Sequence, residues 1–356
     1  MVKIIHTGDL HLDSAFASLS HAEAKFRRAS QRKLLTKLID FANSECADAI
    51  IIAGDLFDSY PIYSDTASSV LSDFKRAEMP IFITPGNHDP YTSDSPYKLL
   101  EFPENVHIFN STDLRYIELP EKKLRIYGAA YTTERYDERI LKNFLIDDEE
   151  YINILALHSN LNSEGYSPIS SEEIGKSGAD YVALAHIHKP TELCISKHTH
   201  YAYCGCPEPR DFGECYDCGF FIVDIEKGSV SLRKEKLSDI SYRDMQINIP
   251  KISEIEKAIP SPNRQMHLRL TFVGEGNIPD VDRLYGMLSP NFAELLIADE
   301  TTDTRDIWEA ISENSLKGAF LRSVKEKLSV CEDENERKKL LLAAEFGIAA
   351  LENRDI

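Results

Sequence analysis

Five short polar blocks punctuate the first half of this chain, and each falls at or just past the end of a short apolar run. They are Gly8-Asp9-Leu10-His11, Gly54-Asp55-Leu56-Phe57-Asp58, Gly86-Asn87-His88-Asp89, His158, and His186-Ile187-His188, and only before Gly86 does a pair, Thr84-Pro85, intervene. The apolar runs, 2–6, 49–53, 81–84, 152–157 and 181–185, are short, β-branched or apolar and flanked by Gly, Pro or Asn, which favours strands over helices. Helical patterns over about 21–46 and 64–78 separate the early runs, so the first half reads as βαβ units. Polar residues that land repeatedly past strand ends are what an α/β sheet with a site at its carboxyl edge produces.

The pattern changes over 106–127 and again over 192–236, where helical stretches become scarce and shorter strands alternate with turns. Two packed mixed sheets flanked by helices fit both halves, which makes the expected fold an α/β, four-layer αββα sandwich. Pro250, Pro260 and Pro262 punctuate a weakly periodic stretch over 240–262 and suggest a boundary there. Beyond it a strand at 267–273, a helix at 280–288 and a strand at 293–298 make a small β-α-β unit. From 306 to 328 and from 333 to 353 the pattern is helical, with Leu341, Ala344, Ile348 and Leu351 as an apolar stripe. The expected domains are 1–240, 241–305 and a helical tail 306–356, whose stripes either pack on the chain's own core or meet a partner.

Composition narrows the class. The chain has 356 residues, 42% of them hydrophobic and 28% charged, as ordinary globular proteins have. Its longest apolar stretch, 340–351, is interrupted by Glu345 and too short to span a bilayer, so no membrane association and a cytoplasmic location are expected. A formal net charge of −19 argues against a protein that coats duplex DNA, because such proteins usually present a basic surface. Any nucleic-acid contact must be local, and Lys25, Arg27, Arg28, Arg32 and Lys33 are the candidate patch. On a helix Lys25, Arg28 and Arg32 share one face, which is equally what a solvated helix face looks like. Five of the seven cysteines crowd into 194–218. Cys204-x-Cys206 and Cys215-x-x-Cys218, with His198 and His200 upstream, leave two readings open: a structural zinc, or reduced cysteines in a hairpin. The second is preferred because the spacing matches no common zinc module.

The blocks together offer Asp9, His11, Asp55, Asn87, His158, His186 and His188, an all-nitrogen-and-oxygen donor set that suits divalent ions such as Mn²⁺. A lone histidine on an apolar strand is usually a satisfied core or surface residue. Four at strand ends, joined by two Gly-Asp blocks and one Gly-Asn-His-Asp, do not fit that account. One metal needs three or four ligands, so seven imply two ions sharing a carboxylate, an arrangement that clamps in-line displacement at phosphorus. Asp9 with His11, and His186 with His188, are two apart and would share a strand face.

In order, these blocks match D-x-H, G-D-x-x-D, G-N-H-D/E, H and H-x-H, and so resemble the calcineurin-like metallophosphoesterase superfamily. The segments Ile5-His6-Thr7-Gly8-Asp9-Leu10-His11-Leu12-Asp13-Ser14, 178–190 and Pro207-Glu208-Pro209-Arg210 are similar to SbcD and YhaO-type DNA repair exonucleases. The resemblance implies that Asp9, His11 and His188 bind a first metal, that Asn87, His158 and His186 bind a second, and that Asp55 bridges them. It also implies that His88 is the catalytic histidine, acting on the leaving oxygen, with the carboxylate of Asp58 paired to it. Two Mn²⁺ ions, an exonuclease that also cuts single strands, a capping role for the small β-α-β unit and an SMC-like ATPase partner of the SbcC/YhaN type follow from the same resemblance. It leaves a homodimer open. Net acidity keeps a second reading alive, a phosphodiesterase or phosphatase for a nucleotide or other small phosphoester.

Overall fold

Alternation along the early strands decides the layering. In the computed structural model, which describes residues 1–17, 19–161, 165–248, 259–275, 281–302, 307–331 and 333–351, β1 (Val2–Thr7), β2 (Ala49–Ile52), β3 (Ile81–Ile83) and β4 (Val106–Ile108) pair side by side in parallel. Helix α1 (His21–Ser44) joins β1 to β2, and α2 (Ser64–Arg76) joins β2 to β3. Ile50, Ile52, Ile81 and Ile83 pack on Leu34, Leu35 and Leu38 of α1 and on Val70 and Phe74 of α2. Their neighbours Ala49, Ile51 and Phe82 belong to a second apolar layer on the opposite face. Strands buried on both faces read as unbroken apolar runs, which is how they stood out in the sequence.

The second sheet is built from β5 (Arg115–Leu119), β6 (Leu124–Gly128), β7 (Ile152–His158), β8 (Tyr181–Ala185), β9 (Cys194–Ser196) and β10 (Thr199–Tyr203), in the order β5-β6-β7-β8-β10-β9. Its Ile126, Ile154, Ala156, Tyr181 and Ala183 complete the layer between the sheets. Its other face, with Leu155, Leu157, Val182 and Leu184, is covered by Ile174 of the short helix α3 (Ser171–Lys176) and by Leu141 and Ile146. A hairpin of β11 (Phe220–Glu226) and β12 (Ser229–Glu235) returns to the first sheet, β11 lying antiparallel to β1. This is the αββα sandwich expected, with one outer layer thinned to a six-residue helix and coil.

Helix α1 overturns the basic-patch reading. Its start is fixed by a capping box between Ser20 and Glu23, and Arg27 and Arg28 are then buried. Arg27 donates to the Pro209 carbonyl at 3.0 Å, and Arg28 reaches the Ala15 carbonyl at 3.4 Å and lies over the Tyr63 ring. Arg32 donates to Thr66 at 3.2 Å and lies 3.8 Å from Asp13. Three of the five cations therefore hold the fold together, and Lys25 and Lys33 alone remain exposed.

The chain divides into two compact units: Met1–Asp244 with Asn263–Leu268 and Phe292–Glu294, and Met245–Pro262 with Arg269–Asn291 and Leu295–Ile356. A third sheet, β13 (Ser241–Asn248), β14 (Asn263–Glu275) and β15 (Phe292–Thr302), follows the sandwich in the chain, with a helix at Val281–Leu288 between its last two strands. Strand β13 occupies part of the stretch expected to be a boundary, while Pro250 lies outside the described residues. In the tail, Leu316–Ser329 and Glu334–Leu351 are helices whose Leu321, Val324, Leu328, Ala344 and Ile348 form one buried cluster with Leu340 against it. The stripe is thus rotated from expectation: Leu341 and Leu351 are 40% and 38% exposed. A Cβ on Gly347 would lie 2.3 Å from Phe320, so the close approach of the two helices selects the face. Among the described residues no helix is long and apolar enough to cross a membrane.

Candidate metal centre

The first two blocks run side by side past the ends of β1 and β2. Asp9 N–H donates to the Gly54 carbonyl, and His11 N–H to the Asp55 carbonyl, both at 3.0 Å. Asp9, His11, Asp55 and His186 all have positive φ, at 47°, 45°, 50° and 95°. Left-handed backbone costs a non-glycine residue about 1–3 kcal/mol, and such strain gathers where side-chain aim matters more than local comfort. Two glycines admit the crowding. Gly54 has φ 108°, and a Cβ on it would stand 2.2 Å from His158 Nδ1. A Cβ on Gly86 would stand 2.1 Å from Asp55 Oδ1.

All seven expected ligand residues converge. His11 Nε2 and His188 Nε2 are 3.1 Å apart, and Asp9, His11 and His188 bring ligand atoms within 4.8 Å of one another, as do Asp9, Asp55 and His158. The Asn87 Oδ1 atom meets His158 Nε2 at 2.9 Å and His186 Nδ1 at 3.1 Å. Asp55 stands between the groups, its Oδ2 3.3 Å from His158 Nε2 and 3.6 Å from His11 Nε2. Asp9 accepts the His186 N–H at 3.1 Å.

The other nitrogen of each ring shows what the inner atoms can do. His158 Nδ1 donates to the Ala53 carbonyl at 3.0 Å, and His188 Nδ1 donates to Glu214 Oε1 at 2.6 Å. His11 Nδ1 lies 3.0 Å from Asp58 Oδ1. With the outer nitrogens carrying the proton, the inner Nε2 atoms present lone pairs to each other and to the Asn87 oxygen. Acceptor faces acceptor, and only a proton or a cation between them relieves that. Burial opposes charge on His158, but Asp55 and Asp9 beside it outweigh this and lift it to about 9. Asp55, also buried, is held below the usual carboxylate range because His158 and His11 outweigh its burial. Burial and then the His158 charge push His186 down to about 3. A buried, all-N/O cluster with this surplus of lone pairs fits divalent cations.

Three residues that hold the site had no assigned part in the sequence reading. Glu214 orients His188, and its own pKa falls to about 2, its burial outweighed by the His188 and Arg210 bonds. Arg210 joins Glu214 at 3.2 Å to Asp58 at 3.3 Å. Asp89 is fully buried and accepts the N–H groups of Gly86 at 2.7 Å and Phe57 at 3.0 Å, clipping one ligand loop to another. Burial, then the Asp55 charge, raises it to about 7. Asp89 stood in a quoted block, and Glu214 is four residues from Arg210, but neither spacing says which imidazole a carboxylate will meet.

The expected carboxylate-to-imidazole bond between Asp58 and His88 is corrected. His88 Nδ1 donates to the backbone carbonyl of Asp58 at 3.0 Å, while the Asp58 carboxylate goes to His11 and Arg210. His88 is exposed, and its N–H donates to Asp55 Oδ1 at 3.0 Å. Cys206 and Cys218 have their sulfurs 3.4 Å apart, and none of the candidate metal groups among the described residues contains a cysteine. Strand β10 ends at Tyr203, so Cys204 and Cys206 do not share a strand face.

Comparison with known proteins finds relatives by sequence. The metallophosphoesterase YhaO of Bacillus subtilis is 30% identical over 264 residues, which cover 69% of this chain and 62% of that protein. The chain thus spans less than two thirds of that relative's length. The SbcD component of the nuclease SbcCD from the same organism is 27% identical, covering 66% of this chain and 69% of its own. The DNA double-strand break repair protein Mre11 of Saccharolobus solfataricus is 27% identical over 86% of this chain and 84% of its own. Among solved structures, TT1561 of Thermus thermophilus aligns with a TM-score of 0.40 at 14% identity, over 65% of this chain and 98% of its own. The model of the calcineurin-like phosphoesterase family matches residues 2–190, the span that carries all seven converging residues, and the chain belongs to that family of hydrolases.

Proposed function

We propose that this chain is a two-metal phosphodiesterase that hydrolyses DNA, as an exonuclease that also cuts single strands. The observation that carries the reading is the convergence of six N/O side chains, in two groups of three, about a seventh, Asp55, with His88 beside them. Asp9, His11 and His188 would hold one ion, Asn87, His158 and His186 the other, and Asp55 both; Mn²⁺ suits the donor set. Two such ions supply Lewis-acid charge to the attacking and leaving oxygens of an in-line displacement. The chain's own part is positioning and proton transfer. Donation from Nδ1 to the Asp58 carbonyl fixes the His88 ring, so Nε2 is the atom that acts on the leaving oxygen. Asp58 and Glu214 orient His11 and His188 and raise their basicity as ligands.

The named nucleases among the relatives support DNA as substrate. The net charge of −19, with Arg27, Arg28 and Arg32 consumed by the fold, favours the second reading, a nucleotide or other small phosphoester. Protein loaded with Mn²⁺ and given linear duplex DNA, single-stranded DNA and bis-p-nitrophenyl phosphate separates them. The DNA reading expects nucleotide release from both DNAs as well as cleavage of the small diester. Cleavage of the small diester alone, at saturating DNA, supports the second reading.

A cytoplasmic location and an SMC-like ATPase partner of the SbcC/YhaN type belong to the same proposal. The tail helices bury part of their apolar surface on each other, yet Leu342 and Phe346, one turn apart, are each 48% exposed. Helix-in-groove recognition uses such i, i+4 anchors. Leu342→Glu with Phe346→Glu is expected to abolish co-purification with that ATPase while leaving hydrolysis of the small diester at its original rate. Undiminished co-purification would remove the tail from the partner interface.

A further inference from the structure

A cavity of about 700 Å³ lies against α1 in the first unit, and none of the seven ligand residues lines it. Small-ligand pockets typically measure about 300–1,000 Å³ and combine apolar walls with a few convergent polar groups. One wall is a face of α1: Phe26, Ser30, Lys33 and Lys37 follow at steps of three and four. Phe26 is 73% exposed, an aromatic ring that the core does not use. Ile240 and Ala293 add apolar lining, and Arg264 adds a cation.

Charge at this cavity runs against that of the chain. Its carboxylates are committed: Glu23 closes the capping box, Glu208 bonds Ser238 and faces Arg27, and Asp239 meets Lys236. Lys33 and Arg264 are exposed and meet no carboxylate among the described residues. The uncommitted charge is therefore positive. Lining the same cavity, Arg27 and Glu208 are only 5% and 4% exposed and pair through Arg27 Nη1 and Glu208 Oε1 at 3.4 Å, so this ion pair forms the cavity's fixed floor.

The geometry points to a nucleotide subsite apart from the metal centre: the Phe26 ring and apolar wall take a base, and Lys33, Lys37 and Arg264 take phosphate. Aromatic stacking with a cationic rim is how single strands are held without regard to sequence. The ligand is a nucleotide unit, either free or within a strand, and its choice rests on the phosphodiesterase reading above. Helix α1 also braces the metal centre. Gln31 donates to the His11 carbonyl at 3.2 Å, and Arg27 donates to the carbonyl of Pro209, next to Arg210. A strand held on this helix is held on the element that supports a ligand loop.

The test uses the full chain loaded with Mn²⁺, a short cleavage-resistant phosphorothioate single strand, and thymidine monophosphate. Phe26→Ala and the pair Lys33→Glu with Arg264→Glu are exposed changes, so both proteins should melt at the original temperature. Each is expected to weaken binding about tenfold, within the range that removing a stacked base platform produces. Binding of the mononucleotide assigns a free-nucleotide site, and binding of the strand alone assigns a strand track. Equal affinity in all three proteins, or no binding of either ligand by the unaltered chain, overturns the subsite. Cleavage of bis-p-nitrophenyl phosphate by the unaltered chain is followed in parallel. If that cleavage persists without nucleotide binding, the subsite alone fails; if it is absent, the metal-centre reading fails.

Discussion

His88→Ala is expected to retain both metal ions and to lose turnover by about 10²–10⁴-fold, the range for removing a positioned general acid or base. The side chain is exposed; its ring donates to the Asp58 carbonyl and lies edge-on 4.7 Å from the His11 ring, while His11 keeps its own contacts to His188 and Asp58 when His88 is shortened. The contact that matters to the metal loops is the His88 backbone N–H to Asp55, which alanine keeps. Asp58→Asn should behave differently. Its carboxylate meets His11 at 3.0 Å, so the change should weaken metal loading by the roughly 10–100-fold typical of lost outer partners of ligands. Metal content and turnover measured on both variants separate the two roles. Loss of a metal from His88→Ala would show that His88 is a ligand and not the acid.

Asp55→Ala is expected to do more damage than either. Asp55 is 1% exposed, stands against His158 and His11 and accepts the His88 N–H. Without it, His158 keeps its lone pair toward Asn87 but loses the carboxylate that attracts a cation. The two ligand groups then lose their common member, and metal affinity should fall by more than the roughly 10–100-fold of an outer-partner change. Turnover should drop to background at metal concentrations that saturate the unaltered chain. Full activity in Asp55→Ala at those concentrations would show that no shared carboxylate is needed.

Much of this site was legible because its information is local. Gly8-Asp9-x-His11 and His186-x-His188 stood out by their place just past strands, but the expected shared strand faces are corrected: the strands end at Thr7 and Ala185, and turns with Asp9, His11 and His186 in left-handed backbone bring both pairs to one place. The partner of Asp58 was not local. A carboxylate three residues past Asp55 can meet His11 or His88, and the turn that carries it puts the carbonyl on one and the carboxylate on the other. Glu214 meets His188 across 26 residues, through a loop whose course the spacing does not encode. The helix period correctly grouped Arg28 with Arg32, yet it could not say that Ala15, Thr66 and Asp13 would cover that face. Strand β13 was obscured by Pro250 beyond it, although Arg243, Met245 and Ile247 alternate with the exposed Asp244, Gln246 and Asn248. In the tail, a glycine that lets Phe320 approach turned the buried stripe onto Leu340, Ala344 and Ile348.

The central claim is two ions sharing Asp55, and metal stoichiometry tests it most directly. Anomalous scattering from crystals of the Mn²⁺-loaded chain, with elemental analysis of the same protein, should show two ions per chain. One should lie among Asp9, His11 and His188 and the other among Asn87, His158 and His186, with Asp55 touching both. A single ion at saturating Mn²⁺, or two ions with Asp55 bound to one alone, would contradict it.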